Sequence, residues 1–383
     1  MSIQVDPQSL GTLRAYGAFD IDACFNCGNC TAVCPLSTGG DSFPRRLIRY
    51  GQLGALDRLV TSKELWLCYY CGECSDTCPR QAEPGEYMAA ARRYAIAASD
   101  PTGVARFLYT SKLFAVAFVL VLTALLGGFL LARSGPMAQG SPALFSYLSF
   151  ELIHDLGLAS IGLALLATLL GVIRMARRML GAIPKRDPGE ADGRNGTIAY
   201  LGRALRDVVK EIAAQKRYRD CQEDSAVRWY RRRWFIHSAI MWGFLGLLAA
   251  TIIDYLLAMA VNKPPGQPDP IWYPPRLLGT VAGLALMYGT TVALAGRLAR
   301  KDKYSSHSLL SDWLLLGLLF LTGLTGFLVE ITVYLPTGPV WAYLLFLIHV
   351  VLGMEVVILL PFTKFAHAVY RPLALLVHSM AHG

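Results

Sequence analysis

Eight of the nine cysteines in this 383-residue chain fall in two stretches of one pattern. "CFNCGNCTAVCP" runs from Cys24 to Pro35 and "CYYCGECSDTCP" from Cys68 to Pro79, each reading C-x2-C-x2-C-x3-C-P. Three thiolates at two-residue intervals wrap three irons of one cubane, while the fourth points away to a second cluster. The spacing predicts two [4Fe–4S] clusters with crossed ligation. Cys24, Cys27, Cys30 and Cys78 hold one, and Cys68, Cys71, Cys74 and Cys34 hold the other. Pro35 and Pro79 end each loop, and Gly28 and Gly72 let backbone N–H groups approach sulfur. Structural zinc uses C-x2-C pairs and four ligands per site, so two intact copies of the three-plus-one spacing argue against it. The remaining Cys221 reads as a plain structural thiol, and clustering in a reducing compartment points to metal rather than disulfides.

Histidines form the second set. Of the seven, His307, His378 and His382 lie at an edge or in the tail and read as solvated. His154, His237, His349 and His367 fall in apolar sequence, where ionisable residues are costly and usually functional. His349 and His367 are eighteen residues apart, five turns of one helix, so both face one way about 27 Å apart. That separation suits two haems stacked across a membrane, each needing a second axial ligand at matching depth. His367 precedes Arg371 by four residues and His237 follows Arg233 by four. His349 and His154 both lie twenty or more residues from their nearest basic boundary. The depth count pairs His237 with His367 near the cytoplasm and His154 with His349 near the outside.

The elements that must position these residues follow from composition. The chain is 54% hydrophobic and 16% charged, with a mean hydropathy of +0.41, too apolar for a soluble protein of this length. Six apolar stretches, roughly 113–133, 150–174, 234–259, 277–297, 309–333 and 341–370, are each long enough to span a bilayer. Segments 174–233 and 297–303 are rich in Lys and Arg, whereas 134–149 and 334–340 have none. By the positive-inside rule the basic loops, the cysteine-rich front end and the C-terminus are cytoplasmic, in a multi-pass cytoplasmic-membrane protein. The net charge of +9 is explained by those loops without a nucleic-acid partner. The first twenty residues lack an apolar core, so no cleavable signal peptide is expected.

The expected fold is all-α. Residues 1–108 form an α-helical two-cluster ferredoxin domain, and 109–383 a haem b transmembrane bundle of about six spans with a cytoplasmic loop at 176–233. The segment between the cysteine repeats reads as two short helices, with Leu47, Ile48, Leu53, Leu56 and Leu59 facing inward. Its Arg45, Arg46 and Arg49 either dock an acidic partner or form a solvated face. In the long loop, "TIAYLGRALRDVVKEIAAQKRYRDC" reads as an amphipathic helix that lies on the membrane or braces the ferredoxin domain.

The cysteine motifs and their fusion to a membrane domain resemble the heterodisulfide reductase C-type ferredoxin joined to a haem b domain. This is the plan of the C-type membrane component of quinone-interacting membrane-bound oxidoreductases (Qmo). The last span is similar to that of the respiratory nitrate reductase γ subunit, whose final helix carries two haem-ligating histidines at this separation. In that protein the two partner histidines share one helix ten residues apart, whereas here Leu247 stands at that offset from His237. Tricarballylate utilisation protein B has a similar overall plan, with cysteine stretches that match less well.

The resemblance implies an electron-transfer subunit. It would link cytoplasmic flavin or iron–sulfur partners, two [4Fe–4S] clusters, two haems b and a membrane quinone pool of menaquinone or ubiquinone. The alternatives are a quinone-linked component like tricarballylate utilisation protein B, or a membrane-anchored iron–sulfur redox sensor without haem. Quinone chemistry moves two protons, so its site needs ionisable groups beside a haem. Asp254 and Glu330, late in the third and fifth spans, are the expected proton carriers, their acidity lowered by burial. The inner end, near Lys364 and Lys303, is the competing place.

Overall fold

The computed structural model describes residues 6, 8–37, 42–137, 143–182, 194–215, 218–219, 227–261, 269–299, 308–334 and 340–382. Cys221, His307, Lys303 and the turn "DPGEADGRNG" up to Gly193 lie outside them.

The described residues are helical, with no strand among them. The front end is built from short helices: α1 (Ser9–Ala15), α2 (Asn29–Ala32), α3 (Arg45–Gln52), α4 (Leu56–Thr61), α5 (Glu64–Leu67) and α6 (Glu73–Asp76). A longer α7 (Pro84–Ser99) and the connecting α8 (Val104–Thr110) complete it. Between the cysteine motifs stand three short helices, one more than expected, because Ser62 and Lys63 interrupt the run before α5. Leu47, Ile48 and Leu59 are buried as their periodicity requires, whereas Leu53 and Leu56 are half-buried. Tyr87 anchors α7 to this layer by donating to the Leu47 carbonyl at 2.7 Å. Arg46 pairs with Glu64 at 3.4 Å, leaving Arg45 and Arg49 exposed.

Six helices are long and apolar enough to cross a membrane. They are α9 (Lys112–Ala132), α11 (Phe150–Gly181), α13 (Arg233–Val261), α14 (Pro274–Ala299), α15 (Leu310–Val333) and α16 (Val340–Leu359). The short α10 (Leu144–Tyr147) precedes the second, and α12 (Arg194–Ala214) lies between the second and third. Polar caps set two of the starts: the Ser111 hydroxyl accepts from Phe114 N–H, and Ser149 from Leu152 N–H, both at 3.2 Å. α16 is the hub of the bundle. Half of its most apolar window is buried against other helices, compared with 11–28% for the other spans.

The sixth span does not continue to residue 370 as its hydropathy predicts. The α-helix stops at Leu359, two 3₁₀ turns (Leu360–Phe362 and Lys364–Ala366) follow, and α17 (His367–His382) begins afresh. Pro361 has no N–H to donate, and its ring restricts the residue before it, so the regular helix ends there. The five-turn argument that put His349 and His367 on one helical face therefore does not hold.

The front end rests on the bundle through an extensive shared core. Leu13, Trp66 and Tyr87 belong to the same buried cluster as Met175, Phe362 and Tyr370. Trp66 meets Tyr370 edge-on, with ring centroids 5.7 Å apart, and Arg178 of α11 donates to the Ala98 carbonyl at 2.9 Å. The amphipathic helix in the long loop resolves its two options by bracing. Val208 packs with Leu67 and Leu375, and Tyr69 bonds to Glu211.

Candidate functional site

Each cysteine motif folds the same way. The second residue after the first cysteine, Asn26 or Tyr70, and the glycine after the second cysteine, Gly28 or Gly72, all take positive φ (57–100°). This alternation curls the chain so that successive thiols converge. Only glycine takes the left-handed region without penalty, which accounts for Gly28 and Gly72. Tyr70 is held there by a bond from its hydroxyl to Glu86 and by the Arg233 guanidinium 5.7 Å from its ring centre. Backbone N–H groups point at sulfur: Tyr70 N lies 3.3 Å from Cys68 Sγ and Ala82 N 3.4 Å from Cys78 Sγ.

The thiols of the two motifs lie close to one another. Burial pushes the Cys30 pKa up, and Cys24, Cys27 and Cys78 push it further by crowding. Cys34 is pushed up to about 11, first by burial, with Cys68 and Cys71 adding to it. Cys74 is raised by burial and then by Cys68 and Cys71. Cys78 thus lies near the first motif and Cys34 near the second, although Cys34 and Cys74 also neighbour Cys30. Cys34, Cys68, Cys71 and Cys74 line one small cavity, closed by Phe43 and Met88. Among the described residues no three His, Cys, Asp or Glu side chains converge tightly enough to hold a single ion. Eight thiols gathered this closely fit inorganic groups larger than one ion, and thiols raised by burial and crowding ionise once metal binds.

Guanidinium groups ring the second motif. Arg92 donates to the Cys68 carbonyl at 3.2 Å, Arg233 to the Cys71 carbonyl at 3.3 Å, and Arg371 to the Leu67 carbonyl at 3.5 Å. Arg371 also sits 3.7 Å over the Tyr69 ring. At the first motif the Arg45 guanidinium lies against Gly28.

The inner histidine pair is brought together. The His237 and His367 rings lie with centroids 6.0 Å apart and planes at 56°. His367 Nδ1 faces the Lys364 carbonyl, which can only accept, so that nitrogen carries the proton. His237 Nδ1 bonds to Gln215 Oε1 at 3.1 Å in the same sense. Both Nε2 atoms keep a lone pair for a metal, and both rings have the outer hydrogen bonds that orient metal-ligating histidines. Two imidazoles about 2 Å from a shared metal would have centroids roughly 6 Å apart, so the pair fits one iron. From the second motif, Tyr69 stacks on Tyr218 at 5.2 Å, and Tyr218 meets His237 edge-on at 5.7 Å.

The outer pair is not brought together. His154 stacks on Tyr255 at 4.8 Å and on Phe150 at 6.1 Å, facing α13. His349 bonds through Nδ1 to Thr325 Oγ1 at 3.0 Å, facing α15. The expected burial of the two acids is also absent. Asp254 is exposed on α13, and Glu330 is 47% exposed and paired with Arg276 at 3.0 Å. His378 is half-buried rather than solvated.

Sequence reasoning passed over several residues here. Glu355, near the C-terminal end of α16, is 1% exposed and accepts from Thr123 of α9 at 2.5 Å. It is the one acid in the run "VWAYLLFLIHVVLGMEVVIL", a signal available from the sequence. Gln215, Tyr218 and the arginine ring carried no such signal, because their partners come from distant segments.

A helical, cysteine-rich domain carried on six membrane-capable helices defines a multi-pass, membrane-associated iron–sulfur electron-transfer protein. Residues 23–83 match the 4Fe-4S dicluster domain, and residues 108–382 match Citrate utilization protein B. The second match spans most of the sequence, and the chain belongs to the Citrate utilization protein B family. The match falls on the citrate/tricarballylate plan that stood second among the resemblances.

Citrate utilization protein B of Escherichia coli is 31% identical over 160 residues, 41% of this chain and 40% of that protein. The E-type subunit of the dihydromethanophenazine:CoB–CoM heterodisulfide reductase of Methanosarcina acetivorans is 27% identical over 158 residues, 38% of this chain and 58% of that protein. The C-type iron–sulfur subunit of the CoB–CoM heterodisulfide reductase of Methanopyrus kandleri is 37% identical over 75 residues, 20% and 39% of the two chains. The chain spans 60% or less of the length of these relatives. No solved structure matches.

Proposed function

We propose that the protein carries electrons between a cytoplasmic flavin or iron–sulfur partner and a membrane quinone, by way of two [4Fe–4S] clusters and haem b. In this reading residues 1–108 are the ferredoxin domain and 109–383 the haem domain, with the front end, the 176–233 loop and α17 on the cytoplasmic side. Cys24, Cys27, Cys30 and Cys78 hold one cluster, and Cys68, Cys71, Cys74 and Cys34 the other. When bound, these groups and the haem exchange single electrons. His237 and His367 hold the inner haem, with Gln215 and the Lys364 carbonyl fixing their tautomers. Tyr69 and Tyr218 fill the gap between the second motif and that pair.

One observation carries the reading: two histidines with free Nε2 atoms meet beside the arginine-ringed cysteine motif. Relatives named as C-type and E-type components of heterodisulfide reductases support a single chain that joins a ferredoxin to a membrane domain, as in the Qmo plan. The outer haem, on His154 and His349, has less support, because the two rings face different helices. Asp254 and Glu330 remain the proposed proton carriers at the outer end, where Arg276 holds Glu330 in place.

Replacing Cys78 by Ala tests the crossed assignment. The wild-type chain should carry roughly eight irons, and the variant should lose the cluster held mainly by the first motif while keeping the other. Loss of the second-motif cluster instead, or stoichiometric zinc in the wild type, would overturn it.

A further inference from the structure

Three membrane-capable helices end around one carboxylate. Asp312 stands in the first turn of α15, Arg297 in the last turn of α14, and Lys364 in the 3₁₀ turn that follows α16. Arg93 reaches the same carboxylate from α7 of the front end. Asp312 is 3% exposed, with Arg93 at 3.2 Å, Arg297 at 3.9 Å and Lys364 in contact. Among the described residues these are the charged groups that act on Lys364 and Asp312, so three cations face a single anion.

The surplus is not spread evenly. Arg93 is buried, and it is answered by Asp312 and by the Tyr16 carbonyl at 2.8 Å. The side chains of Arg297 and Lys364 are 22% and 33% exposed, so the excess positive charge sits where solvent or lipid can reach it. Arg297 donates to the Ser308 hydroxyl at 2.6 Å, a neutral partner. Holding like charges together in a half-buried place is costly unless a second anion joins them.

Position decides which anion. Asp312, Arg297 and Lys364 lie at or just beyond the ends of spans, where hydrocarbon gives way to lipid head groups. Their neighbours suit that level: Leu298, beside Arg297, is 73% exposed, and Trp313, beside Asp312, is half-buried. An acidic protein would have to push a carboxylate in among the head groups to meet Arg297 and Lys364. A phosphodiester is already there. We propose that Arg297 and Lys364 bind the head-group phosphate of an anionic phospholipid, whose acyl chains lie along α14 and α15. A zwitterionic lipid also carries a phosphate, but its amine cancels the charge and leaves the surplus unmet. The bound lipid fastens three span ends to the front end by way of Asp312 and Arg93. This inference depends on neither haem nor quinone.

The test is native mass spectrometry of the purified full chain in detergent, titrated with dioleoylphosphatidylglycerol, dioleoylphosphatidylcholine or inorganic phosphate. Phosphatidylglycerol should fill one saturable site, roughly tenfold more tightly than phosphatidylcholine, and added salt should weaken it. Arg297→Gln and Lys364→Gln should each weaken phosphatidylglycerol roughly fivefold and leave phosphatidylcholine unchanged, whereas Arg297→Lys should keep most of the binding. Arg177→Gln, at an exposed basic position late in α11, should change nothing. Lys364→Gln keeps the backbone carbonyl that meets His367. Should it lose iron all the same, Arg297→Gln decides alone. Equal affinity for the two lipids, or phosphatidylglycerol binding undiminished in Arg297→Gln, would overturn the proposal. Displacement of the lipid by millimolar inorganic phosphate would overturn it as well, since the site would then take free phosphate.

Discussion

Three guanidinium groups bond to the backbone of the second cysteine motif, whereas one, that of Arg45, lies against Gly28 of the first. Four thiolates around a cluster carry net negative charge, and each added electron makes that charge larger. Arg92, Arg233 and Arg371, all bonded to carbonyls between Leu67 and Cys71, favour the more negative, reduced state. The cluster on this motif should have the higher potential of the two and receive electrons from the other. Arg233→Ala should lower its potential by tens of millivolts and leave the first-motif cluster unmoved, as read by EPR-monitored redox titration. Equal shifts in both would remove the argument. The cysteine spacing made the 4Fe-4S dicluster domain legible in advance, because it is a local property of the chain. The arginines were not legible, since Arg233 and Arg371 arrive from far along the sequence, and in isolation each looks like a positive-inside residue. Glu355 was legible and overlooked, a lone acid inside an apolar run.

At the scale of elements, hydropathy located the spans to within a few residues at most ends. It failed on the length of α11, which runs on to Gly181, and on the continuity of the sixth span. Hydropathy averages over side chains and takes no account of the backbone donor that Pro361 lacks. The break has a use. It turns the chain so that Lys364 reaches Asp312 and the Lys364 carbonyl meets His367, neither of which a straight helix would present in the same way. Asp312 is the joint between the front end and the bundle, answering Arg93 of α7 and Lys364 together, with Arg297 at 3.9 Å. Removing its charge leaves buried cations without an answer. Asp312→Asn should cost about 3 kcal/mol and lower the unfolding temperature in detergent. If Arg93→Met with Asp312→Asn is as unstable as Asp312→Asn alone, the pair is not the source of that loss.

Six spans bring the front end, the α12 brace and α17 to one end of the molecule, where electrons can enter and leave the cysteine motifs. The depth count along the sequence paired His237 with His367, each one turn from a basic boundary on that end, and their rings lie 6.0 Å apart. It did not bring His154 to His349, whose depths were counted across whole spans, where tilt and the break at Pro361 accumulate. The central claim is that the cysteine domain feeds a haem held by His237 and His367. The most direct measurement is the dithionite-reduced minus oxidised absorbance spectrum of the purified chain, beside that of His367→Ala. The account predicts reduced b-type haem bands in the wild type, and in the variant the loss of one haem with iron–sulfur content intact. A wild-type spectrum without haem bands, or a variant with undiminished haem, would contradict it.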